Sequence, residues 1–188
     1  MSYQTSVKLE ENDKKEFVDT NERNIMNGKI NSSISLYKEQ INKSDIQKTY
    51  GFLLKYVMQI KTDFEKAFPR EYSCGNVSPG YMDYSYFPFV NDYLRGKKLR
   101  FGIVLNHNEM RFELWLLGQN KEIQDRYWNI LKGSEWNENL TERPQYADLE
   151  IVLVDTPDFE NIDKLTDDII NRAVEEANRI IVYLKKLD

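Results

Sequence analysis

The chain has 188 residues, of which 40% are hydrophobic and 30% charged, and its formal net charge at pH 7 is −5. This length is enough for one domain with a substantial core, and the twelve Tyr, nine Phe and three Trp exclude a disordered chain. The acidic balance argues against a nucleic-acid-binding protein, because such surfaces need clustered Lys and Arg.

Cysteine and histidine each occur once, as Cys74 and His107. A single cysteine excludes an internal disulfide, and the two residues together are too few for a structural zinc site. No segment has the ~20 apolar residues of a membrane span, and the N-terminus lacks the apolar core of a signal peptide. We therefore expect a cytoplasmic protein without a membrane segment, and no motif indicates a cofactor.

The N-terminal segment differs from the remainder of the chain because it is a mixed-charge run without an apolar stripe. We predict a flexible or loosely docked extension over residues 1–30 and a single domain over residues 31–188. Apolar residues at helical spacing then predict a helix over about residues 33–41. A second helix is predicted from Ser44, which opens a capping box, to a stop at Pro69.

An aromatic, alternating stretch predicts a strand over residues 80–87. We expect Pro88 to stop this strand, because proline cannot donate to a sheet ladder. A short helical turn over residues 91–95 follows, and Gly96 is predicted to end it in the left-handed conformation.

The most informative pattern is a β-hairpin with strands over residues 99–105 and 110–116 and a tight turn centred on His107 and Asn108. This register places six apolar side chains on one buried face, as the pairs Leu105–Met110, Ile103–Phe112 and Phe101–Leu114. On the other face it places Arg100 across from Trp115, Gly102 across from Glu113 and Val104 across from Arg111.

The remaining elements are a helix from Asn120 to Gly133, a strand over residues 147–154 and a final helix over about residues 162–187. The predicted order is α-α-β-β-β-α-β-α. Such an order indicates an α+β fold with a mainly antiparallel sheet of about four strands and helices packed on it.

Several short segments of the chain, from about residue 35 to the C-terminus, resemble an uncharacterised bacterial family known only as a domain of unknown function. They are Leu36-Tyr37-Lys38-Glu39-Gln40, Asp45-Ile46-Gln47-Lys48, Gly80-Tyr81-Met82-Asp83 with Tyr86-Phe87, Arg111-Phe112-Glu113-Leu114-Trp115-Leu116, Gly118 with Asn120, Gln124, Tyr127-Trp128, and Val154-Asp155 with Pro157-Asp158-Phe159. The resemblance implies a compact α+β domain of bacterial origin, and it implies no activity. A weaker likeness is to small domains that accompany nuclease-like domains in bacterial proteins.

The polar side of the hairpin is the first candidate site, because alternation places Arg111, Glu113 and Trp115 together. Arg111 and Glu113 are spaced to form an ion pair, and we expect Arg100 to lie over the Trp115 ring. A carboxylate, a guanidinium and an indole form a plausible floor for a ligand. A structural salt bridge on a solvated sheet face explains the same residues.

Three further candidates surround this face. Asp83 is an acid among strand aromatics and is expected to approach Glu113, although an edge-strand charge against aggregation is the simpler explanation. Asn120 and Gln124 open a helix whose N-terminus suits an anion, although an ordinary N-cap explains Asn120. His107 is predicted to be exposed at the hairpin tip, away from the polar side.

These observations lead to a non-catalytic module that binds an unidentified small molecule or protein at the polar side of the sheet. The alternative is a metal-assisted hydrolase or nuclease-related enzyme that uses Asp83 and Glu113, with Asp155 as a third carboxylate. A third hypothesis is a homodimer formed through the C-terminal helix.

Overall fold

The computed structural model describes residues 29–43 and 45–187. The chain divides into two compact units between Thr49 and Tyr50. Almost all of the predicted extension over residues 1–30 lies outside the described residues, and so does Ser44 of the predicted capping box. The domain boundary and the capping box therefore stay predictions.

Ten helices and strands form within the described residues, and together they make an α+β fold, as predicted. The helices are α1 (Ile30–Lys43), α2 (Ile46–Ala67), α3 (Asp92–Gly96), α4 (Lys121–Leu131) and α5 (Ile162–Lys185), and the strands are β1 (Ser73–Cys74), β2 (Tyr84–Val90), β3 (Leu99–Asn106), β4 (Arg111–Gly118) and β5 (Leu149–Val154). The sheet has five strands rather than about four, because β1 has only two residues and leaves no pattern in the sequence. None of the helices in the described segments is long and apolar enough to cross a membrane.

In the first unit, α1 is an amphipathic helix with no buried residue, and the side chains of Leu36 and Tyr37 are exposed. In the second unit, the strands follow one another across the sheet in chain order, and each is antiparallel to its neighbour. One side of the sheet packs against helices and buries side chains such as Phe87, Ile103 and Leu114. Because strand side chains alternate between faces, the other side carries a second set of residues.

The β3–β4 hairpin is antiparallel as predicted, but its register differs from the predicted one by two residues. Leu105 pairs with Phe112, and Asn106 pairs with Arg111, so the connection comprises residues 107–110 rather than 106–109. An even shift leaves every side chain on its predicted face, because side chains alternate with a period of two. The cross-strand partners nevertheless change: Gly102 lies opposite Trp115, and Val104 lies opposite Glu113.

The side chain of Asn106 explains the position of the loop. Its Oδ1 accepts hydrogen bonds from the backbone N–H groups of Asn108 and Glu109, each at 3.1 Å, so it caps the turn locally. Met110 then adopts a positive φ of 49° and remains in the loop. The prediction that Met110 is buried with the other apolar hairpin residues is wrong, since 39% of it is exposed.

Two predictions about the ends of elements are also wrong: the end of β2 at Pro88 and the left-handed conformation of Gly96. Pro88 does not stop β2, which continues to Val90. The carbonyl of Pro88 accepts a hydrogen bond from Gly75 N and therefore points towards β1. In a strand the N–H of a residue points the same way as its carbonyl, so the N–H that proline lacks would have faced β1, and no hydrogen bond to β3 is lost. At the end of α3 the left-handed residue is Lys98, with φ 57°, rather than Gly96.

Candidate functional site

The side of the sheet that faces away from the helices is called the polar face here. Its residues are Tyr84, Tyr86, Arg100, Gly102, Val104, Asn106, Arg111, Glu113, Trp115, Leu117, Glu150 and Val152, which are brought together by cross-strand pairing. It includes Arg111, Glu113 and Trp115, as the alternation predicts. Val104, Trp115 and Leu117 are buried under Ala147, in a small apolar cluster separate from the main core.

Glu113 is the centre of a closed hydrogen-bond network. Its carboxylate is 1% exposed. Oε1 accepts from Arg111 Nε at 2.5 Å and Asn106 Nδ2 at 3.2 Å, while Oε2 accepts from Trp115 Nε1 at 2.7 Å. The bond to Glu113 raises the pKa of the Arg111 guanidinium, which also lies 3.9 Å from Asp155. Since three donors surround it, this carboxylate is positioned to hold Trp115 in place rather than to accept a proton from a substrate.

The other predicted site residues have separate positions. Arg100 does not cover the Trp115 ring; it is exposed and lies opposite Leu117, because the two-residue shift moves its partner. Asp83 precedes β2, and its Oδ1 accepts from the N–H groups of Tyr81 and Tyr84 at 2.8 and 2.7 Å. These two bonds lower the pKa of Asp83, which therefore stabilises the turn into β2.

Asn120 is an ordinary N-cap of α4. Its side chain accepts from the N–H of Ile123 at 3.0 Å. Gln124, one turn into the same helix, is half-buried and lines a cavity above the polar face.

This cavity, called the aromatic pocket here, has a volume of about 260 Å³. The lining residues that matter for recognition are Tyr84, Tyr86, Trp115, Tyr146, Arg100 and Gln124. The Trp115 ring lies 4.8 Å from Tyr84 and 6.3 Å from Tyr146, centroid to centroid, and is nearly parallel to the Tyr146 ring. Only 5% of Trp115 is exposed and its indole N–H is bound to Glu113, so the residue forms an apolar part of the pocket floor and offers no free donor.

Sequence reasoning missed Tyr146, Asp148 and Glu150. Tyr146 lies in the segment between α4 and β5, which has no period that predicts contacts. Asp148 and Glu150 could have been predicted from the sequence. The residues of the last strand that are predicted to face inward leave these two acidic residues on the polar face. Glu150 pairs with Trp115, and burial, together with the nearby Glu113, raises its pKa to about 7.

Asp148 is fully buried. Its Oδ2 accepts from Gly118 N at 2.9 Å, while Oδ1 has no partner. Burial raises its pKa to about 7, although the bond from Gly118 opposes the increase. Oδ1 of Asn137 is also buried without a hydrogen-bond partner. Nδ2 of the same side chain donates to the backbone carbonyl of Asp148 at 3.0 Å.

His107 is not exposed, contrary to the prediction. It is half-buried, with its ring 5.5 Å from that of Tyr50 and its Nε2 2.8 Å from Ser85 Oγ. The Ser85 hydroxyl donates to the carbonyl of Pro79, so His107 is the donor in the Ser–His contact. Burial lowers the pKa of His107. Because Ser85 is completely buried, this pair joins the hairpin loop to β2 and has no open path to a substrate.

A second cavity of about 360 Å³ lies beside Glu113 and Glu150, with Trp136 and Pro144 on its wall. Within residues 29–43 and 45–187, no group of three or more His, Cys, Asp or Glu side chains is placed to hold a metal ion.

Comparison with known proteins identifies a family and no individual relative. No curated protein matches the chain, and no solved structure does. The family model described as "Domain of unknown function (DUF7000)" matches residues 30–184, from the first residue of α1 to the last turn of α5. The chain therefore belongs to the DUF7000 family of domains of unknown function.

Proposed function

We propose that the protein is a small-molecule-binding module and that the aromatic pocket is its binding site. The observation that carries this proposal is the convergence of four Tyr side chains and one Trp with a guanidinium, a carboxylate and an amide around a cavity of about 260 Å³. Small-molecule sites combine apolar and aromatic walls with a few polar groups. The volume suits a small ligand with one or two planar rings, which would lie against the Tyr84, Tyr86 and Tyr146 side chains above Trp115.

The network beneath Trp115 supports a binding role. Glu113 fixes the indole by a 2.7 Å bond, and Arg111 and Asn106 fix Glu113 in turn. A pocket floor that is already fixed loses little conformational entropy when a ligand binds above it, which favours binding. Arg111 and Glu113 thus act in this proposal as positioning residues, while Trp115 contacts the ligand.

Metal-assisted hydrolysis has weaker support. It requires free carboxylate oxygens from Asp83 and Glu113, but both oxygens of Glu113 accept hydrogen bonds within the network. Oδ1 of Asp83 is bound to two backbone N–H groups. A metal ion at either residue would have to displace these donors.

A screen of one- and two-ring heterocycles by thermal shift and saturation-transfer NMR tests the proposal. We expect hits that raise the Tm of the wild type and of Tyr37→Ala, but not that of Tyr146→Ala. Tyr37 is a suitable control because it is 66% exposed and does not line the pocket. Compounds that stabilise all three proteins equally, or a screen without hits, would contradict a site at this pocket.

The same proposal takes the protein to be a cytoplasmic bacterial protein, for which a single cysteine fits a reducing compartment. A protein partner and a homodimer remain alternative ways to use the domain. Light scattering of the purified chain tests the homodimer, because a dimer through α5 would double the molar mass of 22.4 kDa.

A further inference from the structure

The polar groups around the aromatic pocket are distributed unevenly along β3. The basic end is formed by Arg100, which is exposed and belongs to β3. The acidic end is formed by Asp83, next to Tyr84, which pairs with Asn106. Arg100 and Asn106 are six positions apart on the strand, about 20 Å at 3.3–3.4 Å per residue. A ligand in the pocket therefore meets positive charge at one end.

From this distribution we infer that the ligand is a planar ring compound with an anionic group, and that Arg100 binds that group. This inference rests on the proposed function and adds the charge class of the ligand. The ring would occupy the aromatic pocket and the anion its basic end, where the guanidinium can form a bidentate bond to a carboxylate or a phosphate.

A second arginine lies in the cavity next to the basic end. Arg95, at the end of α3, lines a neighbouring cavity of about 320 Å³ to which Arg100 also belongs. Arg100 is thus shared by the two cavities, whereas Arg95 lines only the second. The wall of this second cavity includes Pro88 and Gly75, and no acidic side chain lines it.

Neither Arg95 nor Arg100 forms an ion pair with a carboxylate among the residues that the structure describes. Arg111, Arg143 and Arg179 each form an ion pair with a carboxylate. Arg95 and Arg100 have no carboxylate within ion-pair distance among the residues that the structure describes.

Gln124 adds a neutral polar group at the same end of the pocket. Its side-chain amide has no hydrogen-bond partner among residues 29–43 and 45–187, and it is half-buried against the cavity. An amide offers both a donor and an acceptor, so it suits the edge of a heterocycle. At the acidic end, Oδ1 of Asp83 is bound to two N–H groups, so only its Oδ2 is left for a cationic ligand.

Isothermal titration calorimetry with three probes of the same ring tests the charge class: indole (neutral), indole-3-acetate (anionic) and tryptamine (cationic). We expect indole-3-acetate to bind the wild type about tenfold more tightly than indole, and tryptamine to bind more weakly than indole. Indoxyl phosphate, as a fourth probe, shows whether a phosphate binds better than a carboxylate. The affinity for the acid is expected to fall with added salt, as a charge contact requires.

Variants locate the anion. Arg100→Gln is expected to weaken indole-3-acetate about tenfold and to leave indole unchanged, and Arg95→Gln is expected to have a smaller effect of the same kind. Arg70→Gln is the control, because Arg70 is exposed and lines neither cavity. Indole that binds as tightly as its acid, or an acid that is indifferent to Arg100→Gln, overturns the inference and leaves the proposed function intact. Failure of all four probes together with a heterocycle screen without hits overturns both.

Discussion

Replacement of Asp148 by asparagine is expected to stabilise the protein at pH 8 and to change little at pH 4. Asp148 is 0% exposed, and Oδ1 has no hydrogen-bond partner. An ionised carboxylate in this position is therefore poorly solvated, whereas the protonated form is tolerated. Asparagine keeps an acceptor for Gly118 N and is neutral at every pH.

The expected magnitude follows from the pKa of this carboxyl. The folded state raises it from 3.8 to about 7, which means that the folded protein binds the proton more tightly than the unfolded chain does. Stability is therefore unaffected below about pH 4, decreases through the interval up to pH 7, and reaches its full loss above it. Three pH units at about 1.4 kcal/mol each give a loss of about 4 kcal/mol at pH 8.

Urea unfolding of the wild type and of Asp148→Asn at pH 4, 6 and 8 measures this effect. The difference in unfolding free energy between the two proteins should increase with pH, towards a few kcal/mol. Asp168→Asn is the control, since Asp168 is exposed on α5 and its substitution should leave the pH dependence unchanged. Stability curves of wild type and Asp148→Asn that run parallel from pH 4 to 8 would refute the reasoning.

Three further predictions concern the polar face and the hairpin. Gly118→Ala should lower the free energy of unfolding by about 2 kcal/mol in a denaturant titration, because the new Cβ would lie 2.8 Å from the backbone nitrogen of Gln124. Gly51→Ala in α2 is the control: its Cβ would have no atom within 4 Å, and it should raise the free energy of unfolding by up to about 1 kcal/mol. Glu113→Gln should destabilise the protein by about 2 kcal/mol and shift tryptophan fluorescence to longer wavelength, because one donor of the network then faces an amide N–H; unchanged emission would contradict the network. His107→Gln should remove a loss of stability that the wild type shows as the pH falls below 6.5, because burial lowers the pKa of His107 and the folded state resists its protonation; an equal loss in both proteins would exclude His107 as the cause.

The faces of the sheet could be predicted from the sequence, whereas its exact pairing could not. Alternation of apolar side chains determines which residues are buried, so Phe101, Ile103 and Leu105 were placed correctly. The register depends on where the loop lies, and this position depends on the Asn106 side chain and on a positive φ at Met110. Neither feature changes the alternation, so patterns alone do not distinguish registers that differ by two residues.

The pocket was predictable only in part. Trp115 and Gln124 were among the predicted site residues, since their positions on a strand and a helix are given by simple periods. Tyr146 contacts Trp115 from an irregular segment, and its position is determined by tertiary contacts that the local sequence does not encode. The network around Glu113 was predictable in part: alternation along β4 places Arg111 and Trp115 beside it, whereas Asn106 of β3 reaches it only in the observed register.

The strand order β1-β2-β3-β4-β5 has a consequence for how the chain folds. Each strand joins its predecessor, so no strand has to insert between two that are already paired, and most loops that must close are short. The β3–β4 ribbon can form first from neighbouring segments, with β2 and then β5 added at its two sides. Amide hydrogens of β3 and β4 would then exchange most slowly with solvent, and those of the two-residue β1 would be released first.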